Sequence, residues 1–271
     1  MQFAFMCVAH FFDHLCMLIY ASVVALTLSQ DWGMSYGELI PYATPGFIAF
    51  GVCAVPSGWL ADKWSRTGMM LLFFVGIGSS SILTSFAQTP THMGIGLFII
   101  GVFASIYHPV GISLVVQGRK STGIPLAVNG IFGNLGVASA PLIAGYLIDH
   151  VGWRSAFYLP GLFTVVGGLV YAVALYATRT TPDEADPVTS NSPGAPRIDP
   201  RLIRLTFTLV LVSTAIGGLV FQSTTFALPK VFSERLGDLA ITAGSSCRKA
   251  RSGGTPSIVS APVATTIRSK R

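Results

Sequence analysis

Seven long apolar stretches, with the charges almost confined to the gaps between them, constrain this chain more than any other feature. They run at roughly 3–28, 38–61, 69–88, 93–116, 123–148, 155–177 and 205–229. A helix crossing the hydrocarbon core needs about 20 mostly apolar residues. A bilayer offers no water to unpaired backbone groups, so such runs become helices or the strands of a closed barrel. These are too long for barrel strands and lack two-residue alternation. The sequence therefore predicts an all-α, polytopic membrane protein. Hydrophobic residues make up 51% and charged residues 10%, far below the ~25% charged fraction of soluble domains.

Cys7, Cys16 and Cys53 lie inside apolar runs and Cys247 stands alone in the tail, so they read as packing residues rather than a disulfide framework. Residues 1–239 hold 11 basic and 11 acidic residues, and the net charge of +6 comes from Arg248, Lys249, Arg251, Arg268, Lys270 and Arg271. Phosphate-binding, dinucleotide-binding and nucleophile-elbow motifs are absent. No nucleic-acid partner, enzymatic activity, metal or other cofactor is expected.

Basic residues in short loops mark the cytoplasmic side. Lys63 and Arg66 follow run 2, Arg119 and Lys120 follow run 4, and Arg179, Arg197, Arg201 and Arg204 follow run 6. Arg154 is the lone Lys or Arg in the opposite gaps before run 7. This alternation predicts a cytoplasmic N-terminus. The expected organisation is a six-helix bundle over 1–177 and a cytoplasmic Pro-rich linker over 178–204. A further transmembrane helix and its outer end occupy 205–239, and a disordered basic tail occupies 240–271. The abrupt loss of apolar character near Leu239 reads as out-of-frame translation, which would leave the chain truncated and inactive by itself. A half transporter that dimerises is the alternative.

Ionisable groups within a bilayer are expensive and usually functional. His10, Asp13 and His14 follow the spacing i, i+3, i+4, which puts them on one helical face. Run 4 supplies Tyr107 and His108. Asp13 and His108 each stand about ten residues from the inner ends of their helices, at about 15 Å depth or mid-bilayer. Proton coupling or substrate contact is the function such groups imply, with Asp13 as carrier, His108 as second member, and His10 and His14 as tuning partners. An Asp–His pair that merely bolts two helices together is the structural alternative. Asn129 and Asn134 could orient a substrate. A third reading is an intramembrane metal-dependent enzyme or sensor, because two His and one Asp on a face begin a metal shell, but no further Cys/His cluster completes it.

Gly58-Trp59-Leu60-Ala61-Asp62-Lys63-Trp64-Ser65-Arg66-Thr67 resembles the signature between helices 2 and 3 of the major facilitator superfamily, Gly-x-Leu-Ala-Asp-Arg-x-Gly-Arg-Lys. Ser65 and Thr67 depart from it. Gly130, Gly133, Gly136, Pro141 and Gly145 in run 5 look like that family's glycine-proline motif of exporters, or like plain tight packing. The turn Gly152-Trp153-Arg154-Ser155-Ala156-Phe157 is common at the same place. His10-Phe-x-Asp13 together with Tyr107-His108-Pro109 is similar to the fosmidomycin-resistance type of efflux protein. The resemblance implies two six-helix bundles with inverted repeats inside each, of which this chain carries one bundle plus helix 7. It also implies a central cavity lined by helices 1, 2, 4 and 5. Gly58, Leu60, Asp62, Lys63 and Arg66 then form a gating latch. The implied activity is alternating-access, proton-linked transport of a small molecule, with efflux favoured over uptake of a small organic anion, in a bacterial inner membrane. Proton-linked antiporters of the family often carry an Arg in helix 4. None stands between Met93 and Val116, which shifts weight to the histidines.

Overall fold

The structure, a computed structural model, describes residues 1–178 and 199–251, and their side chains except at 233 and 236–251. Among these residues seven helices are long and apolar enough to cross a membrane, and no strand forms. They are α1 (Gln2–Asp31), α2 (Tyr36–Lys63), α3 (Arg66–Thr84), α4 (Pro90–Val116), α5 (Gly123–His150) and α6 (Ser155–Ala177). The seventh, α7 (Pro200–Arg251), contains Pro229. The chain is a polytopic all-α membrane protein, as its apolar runs require. Linker residues 179–198, with Pro182, Pro187, Pro193 and Pro196, and tail residues 252–271 lie outside the described residues.

Met1–Lys230 form one unit and Val231–Arg271 a second. The described backbone of the second unit is helical to Arg251.

Within the first unit, α1 packs on α5, α3 on α6, and α2 and α3 on α4. In lipid no hydrophobic force drives helix association, so small residues that let backbones approach become the contact points. A Cβ at Gly101 would stand 2.0 Å from the Gly46 carbonyl oxygen, which fixes the α2–α4 crossing. Gly78 and Gly161 play the same part between α3 and α6, each within 2.7 Å of the other's carbonyl oxygen once given a Cβ. Side chains of α7 between Pro200 and Phe232 are largely exposed. Phe226 is the buried exception: its carbonyl accepts from the Tyr36 hydroxyl and its ring meets Phe47 edge-on at 5.1 Å.

Helix ends follow local chemistry. Ser35 and Glu38 form a capping box, with Glu38 Oε2 accepting from the Ser35 backbone N–H at 2.8 Å. Thr89 caps α4, with Pro90 at the first helical position. This start lies three residues before the apolar run does. Ser65 caps α3, its hydroxyl accepting from the Gly68 N–H at 3.0 Å, a device that contributes about 1 kcal/mol. That explains the first departure from the signature. Ser65 has φ −169 and ψ 127, extended backbone that needs no glycine, and its hydroxyl also meets the Thr67 hydroxyl at 3.0 Å. At the α5–α6 turn Gly152 has φ +105, a conformation open to glycine. This turn buries Trp153, over which Arg154 lies at 4.4 Å.

Candidate functional site

The site begins with an irregularity in α4. Pro109 has no backbone N–H and cannot close a helical bond to Ser105. The helix loosens into a π turn over Tyr107–Gly111, a distortion frequent at functional sites. Gly58 of α2 faces this proline, with room for a Cβ only 3.3 Å from it. In a regular helix Tyr107 and His108 would diverge by about 100°. Here both meet α1. The Tyr107 ring stacks on His10 with centroids 4.7 Å apart. His108 presents its edge to His10 at 5.5 Å and to His14 at 5.6 Å.

On α1, His10 and Asp13 are buried and His14 is half-buried. His10 Nδ1 lies 2.9 Å from the Asn129 carbonyl oxygen of α5. A carbonyl only accepts, so the His10 proton sits on Nδ1 and Nε2 offers a lone pair. His14 Nε2, 3.2 Å away, donates to it. Room for the His10 ring comes from Gly133, where a Cβ would stand 2.5 Å from Nε2. The Tyr107 hydroxyl donates to the Met6 carbonyl at 2.9 Å and accepts from Asn129 Nδ2 at 2.8 Å. Asn129 therefore ties α5 to both α1 and α4.

Asp13 is the exception in this satisfied network. Its side chain has no exposed surface, and neither carboxyl oxygen has a hydrogen-bond partner among the described residues. His108 Nε2 lies 3.5 Å from Oδ2. The His108 side chain keeps 37% of its surface exposed, so it links the buried carboxyl to the outside. Buried polar groups are normally paired, and each exception calls for a reason. A carboxyl and an imidazole at this separation can exchange one proton after a small motion.

Of the residues singled out from the sequence, His10, Asp13, His14, Tyr107, His108 and Asn129 come together. Asn134 does not: it is exposed, about 140° around α5 from Asn129. Among the expected packing residues, Gly133 and Gly136 face α1, Gly136 against the Phe11 carbonyl oxygen. Gly130 has open space beside it, Gly145 only grazes Leu26 at 3.9 Å, and Pro141 is exposed. The expected latch residues lie apart from the histidines. Asp62 and Arg66 form an exposed ion pair at 3.0 Å, Lys63 ends α2, and Leu60 is exposed. Sequence reasoning missed Phe50 of α2, whose ring meets His108 edge-on at 5.6 Å. Phe50 stands one turn beyond Gly46 on the face packed against α4, and no local pattern in the sequence marks it.

A family model described as Major Facilitator Superfamily matches residues 6–263. The gallate transporter of Pseudomonas putida is 25% identical over 51% of this chain and 31% of its own length. The niacin transporter NiaP of Acinetobacter baylyi is 30% identical over 51% and 32%. The tetracenomycin C resistance and export protein of Streptomyces glaucescens is 24% identical over 59% and 31%. The chain spans about a third of the length of these curated relatives. In fold it is similar to a crystal structure of a POT family transporter in complex with a thioalcohol-conjugated peptide. There the TM-score is 0.50 and the identity 17%, over 84% of this chain and 48% of that one. With seven membrane-length helices, a helix 2–3 signature and a family match over nearly all of its residues, this chain belongs to the Major Facilitator Superfamily.

Proposed function

We propose that this chain is the proton-handling part of a secondary transporter for a small organic molecule, with Asp13 as proton carrier and His108 as its exchange partner. The observation that carries this reading is the buried Asp13 carboxyl, which has no hydrogen-bond partner among the described residues and lies 3.5 Å from a half-exposed imidazole. A purely structural carboxyl would be satisfied by donors; one that must gain and release a proton is better left without them. Alternating access, in which one bundle rocks against another around a central site, would expose the pair to each side in turn. The bundle described here would then need a second one to move substrate.

Infrared difference spectroscopy on the purified chain tests this without a substrate. A protonated-carboxyl band that titrates with pH is expected, absent in Asp13→Asn and displaced along the pH axis in His108→Gln. A band that His108→Gln leaves in place would sink the exchange role.

The glycine-proline pattern of α5 supports efflux, as does the relative named for tetracenomycin C export. Relatives named as transporters of gallate, 4-hydroxybenzoate and niacin support a small organic anion of the aromatic carboxylate class as cargo, which suits the alternative of proton-coupled uptake. The sign of the pH gradient that drives flux in vesicles separates them. The basic gaps support a cytoplasmic N-terminus in a bacterial inner membrane. In protein whose four native cysteines are replaced by serine, an impermeant thiol reagent added outside should then label Gln88→Cys and spare Ser121→Cys. The reverse pattern would invert the topology.

A further inference from the structure

Three imidazoles converge where α1 meets α4, and proton exchange between Asp13 and His108 uses only one of them. One ring nitrogen from each of His10, His14 and His108 lies within 4.8 Å of the other two. We propose that these three histidines form a binding site for a divalent transition-metal ion of the zinc class, bridging α1 and α4. The sequence alone supplied two histidines and a carboxyl on one helix, too few for a shell. The fold supplies the third imidazole.

The geometry fits in four respects. Imidazole nitrogens bind zinc at about 2.0–2.1 Å, so tetrahedral ligands stand roughly 3.4 Å apart. His10 Nε2 and His14 Nε2 are 3.2 Å apart, already at that spacing, and His108 needs only a swing of its half-exposed ring. His10 donates its Nδ1 proton to the Asn129 carbonyl at 2.9 Å, the outer contact that orients a metal-bound histidine and fixes which nitrogen is bare. A bound ion would take the place of the His14–His10 hydrogen bond, with the His14 proton moved from Nε2 to Nδ1 so that Nε2 can ligate. Asp13, buried without a hydrogen-bond partner beside His108, supplies a compensating negative charge. The exposed part of His108 gives the ion a way in. Imidazole-rich sites select zinc, copper, nickel and cobalt over magnesium and calcium.

The test uses the full chain, purified through a tag without histidine, and Co²⁺ as the probe. Expected is one ion per chain with visible absorption of tetrahedral intensity, displaced by Zn²⁺ and untouched by Mg²⁺. His10→Gln, His14→Gln and His108→Gln should each weaken binding at least about tenfold, and Asp13→Asn about 10–100-fold, as outer-shell changes do. His92→Gln and His150→Gln, the two remaining histidines and both exposed, should change nothing. Removing the His10–Asn129 bond can unfold the bundle. The half-buried His14→Gln and His108→Gln variants then decide, each checked by its own melting curve. No cobalt spectrum, or binding that survives both substitutions in folded protein, would overturn the site. This inference does not depend on proton exchange: the infrared band reports Asp13 in metal-free protein, so either can fail without the other.

Discussion

Gly136→Ala is expected to lower the stability of the bundle by about 1–3 kcal/mol, the usual cost of forcing extra volume into a packed contact. Gly130→Ala, six residues earlier in the same helix, should leave it unchanged or slightly raised, because Ala is the better helix former. The two glycines belong to one sequence pattern but meet different surroundings. A methyl group at 136 would stand 2.3 Å from the Phe11 carbonyl oxygen, while one at 130 meets nothing within 4 Å. A backbone atom cannot rotate away as a side chain can, so α1 and α5 must separate. Gly133→Ala falls between the two, because its obstacle is the His10 ring at 2.5 Å, which can tilt at the expense of its bond to Asn129. Denaturant unfolding of the three variants in one detergent checks the order. Equal changes at 130 and 136 would mean that the α1–α5 crossing does not depend on the missing side chain at 136.

Asp13→Asn is expected to raise stability while removing the titrating carboxyl on which proton exchange depends. The native carboxyl is fully buried with neither oxygen hydrogen-bonded. Burying an uncompensated polar group costs about 1–3 kcal/mol judged from protein substitutions, and a charge costs more. Replacement by a neutral side chain of the same shape relieves part of that cost. If Asp13 merely bolted α1 to α4 through His108, the same substitution would destabilise instead. His108→Gln gives the complementary result: it strands Asp13 without its one nearby partner, so it should lower stability near neutral pH, and the Asp13→Asn, His108→Gln double variant should recover most of the loss. Coupling of this kind is what a double-mutant cycle isolates. Melting curves of the four proteins across pH distinguish the cases, and a loss of stability in Asp13→Asn would favour the structural bolt.

Much of the site was legible in advance because helical periodicity is rigid. The spacing of His10, Asp13 and His14 fixes a shared face whatever the helix packs against, and the depths of Asp13 and His108 follow from the rise per residue. Asn129 was legible only as one of two candidate amides, since periodicity does not say which face of α5 meets α1. The third imidazole of the proposed metal site, the Phe50 edge on His108 and the relief of His10 by Gly133 are contacts between helices and carry no local signal. The same limit applies to glycines: Gly46, Gly78, Gly101 and Gly161 let backbones meet at helix crossings, yet they belong to no run that marks them out from Gly130.

The sequence by itself determined the solvent, the number of membrane-length helices and the family. Apolar length, charge placement and a short signature are properties of the chain that a bilayer reads directly. Two details were also local: Ser65 stands in an extended cap where the family pattern has glycine, and Pro109 opens a π turn. Only the tertiary structure decided which polar groups are satisfied. It joined His10, Tyr107 and Asn129 into a closed hydrogen-bond network, and it left the Asp13 carboxyl beside His108 with no donor of its own. Satisfaction of a buried group depends on what the neighbouring helices place within about 3 Å of it, and no spacing along one chain segment contains that information.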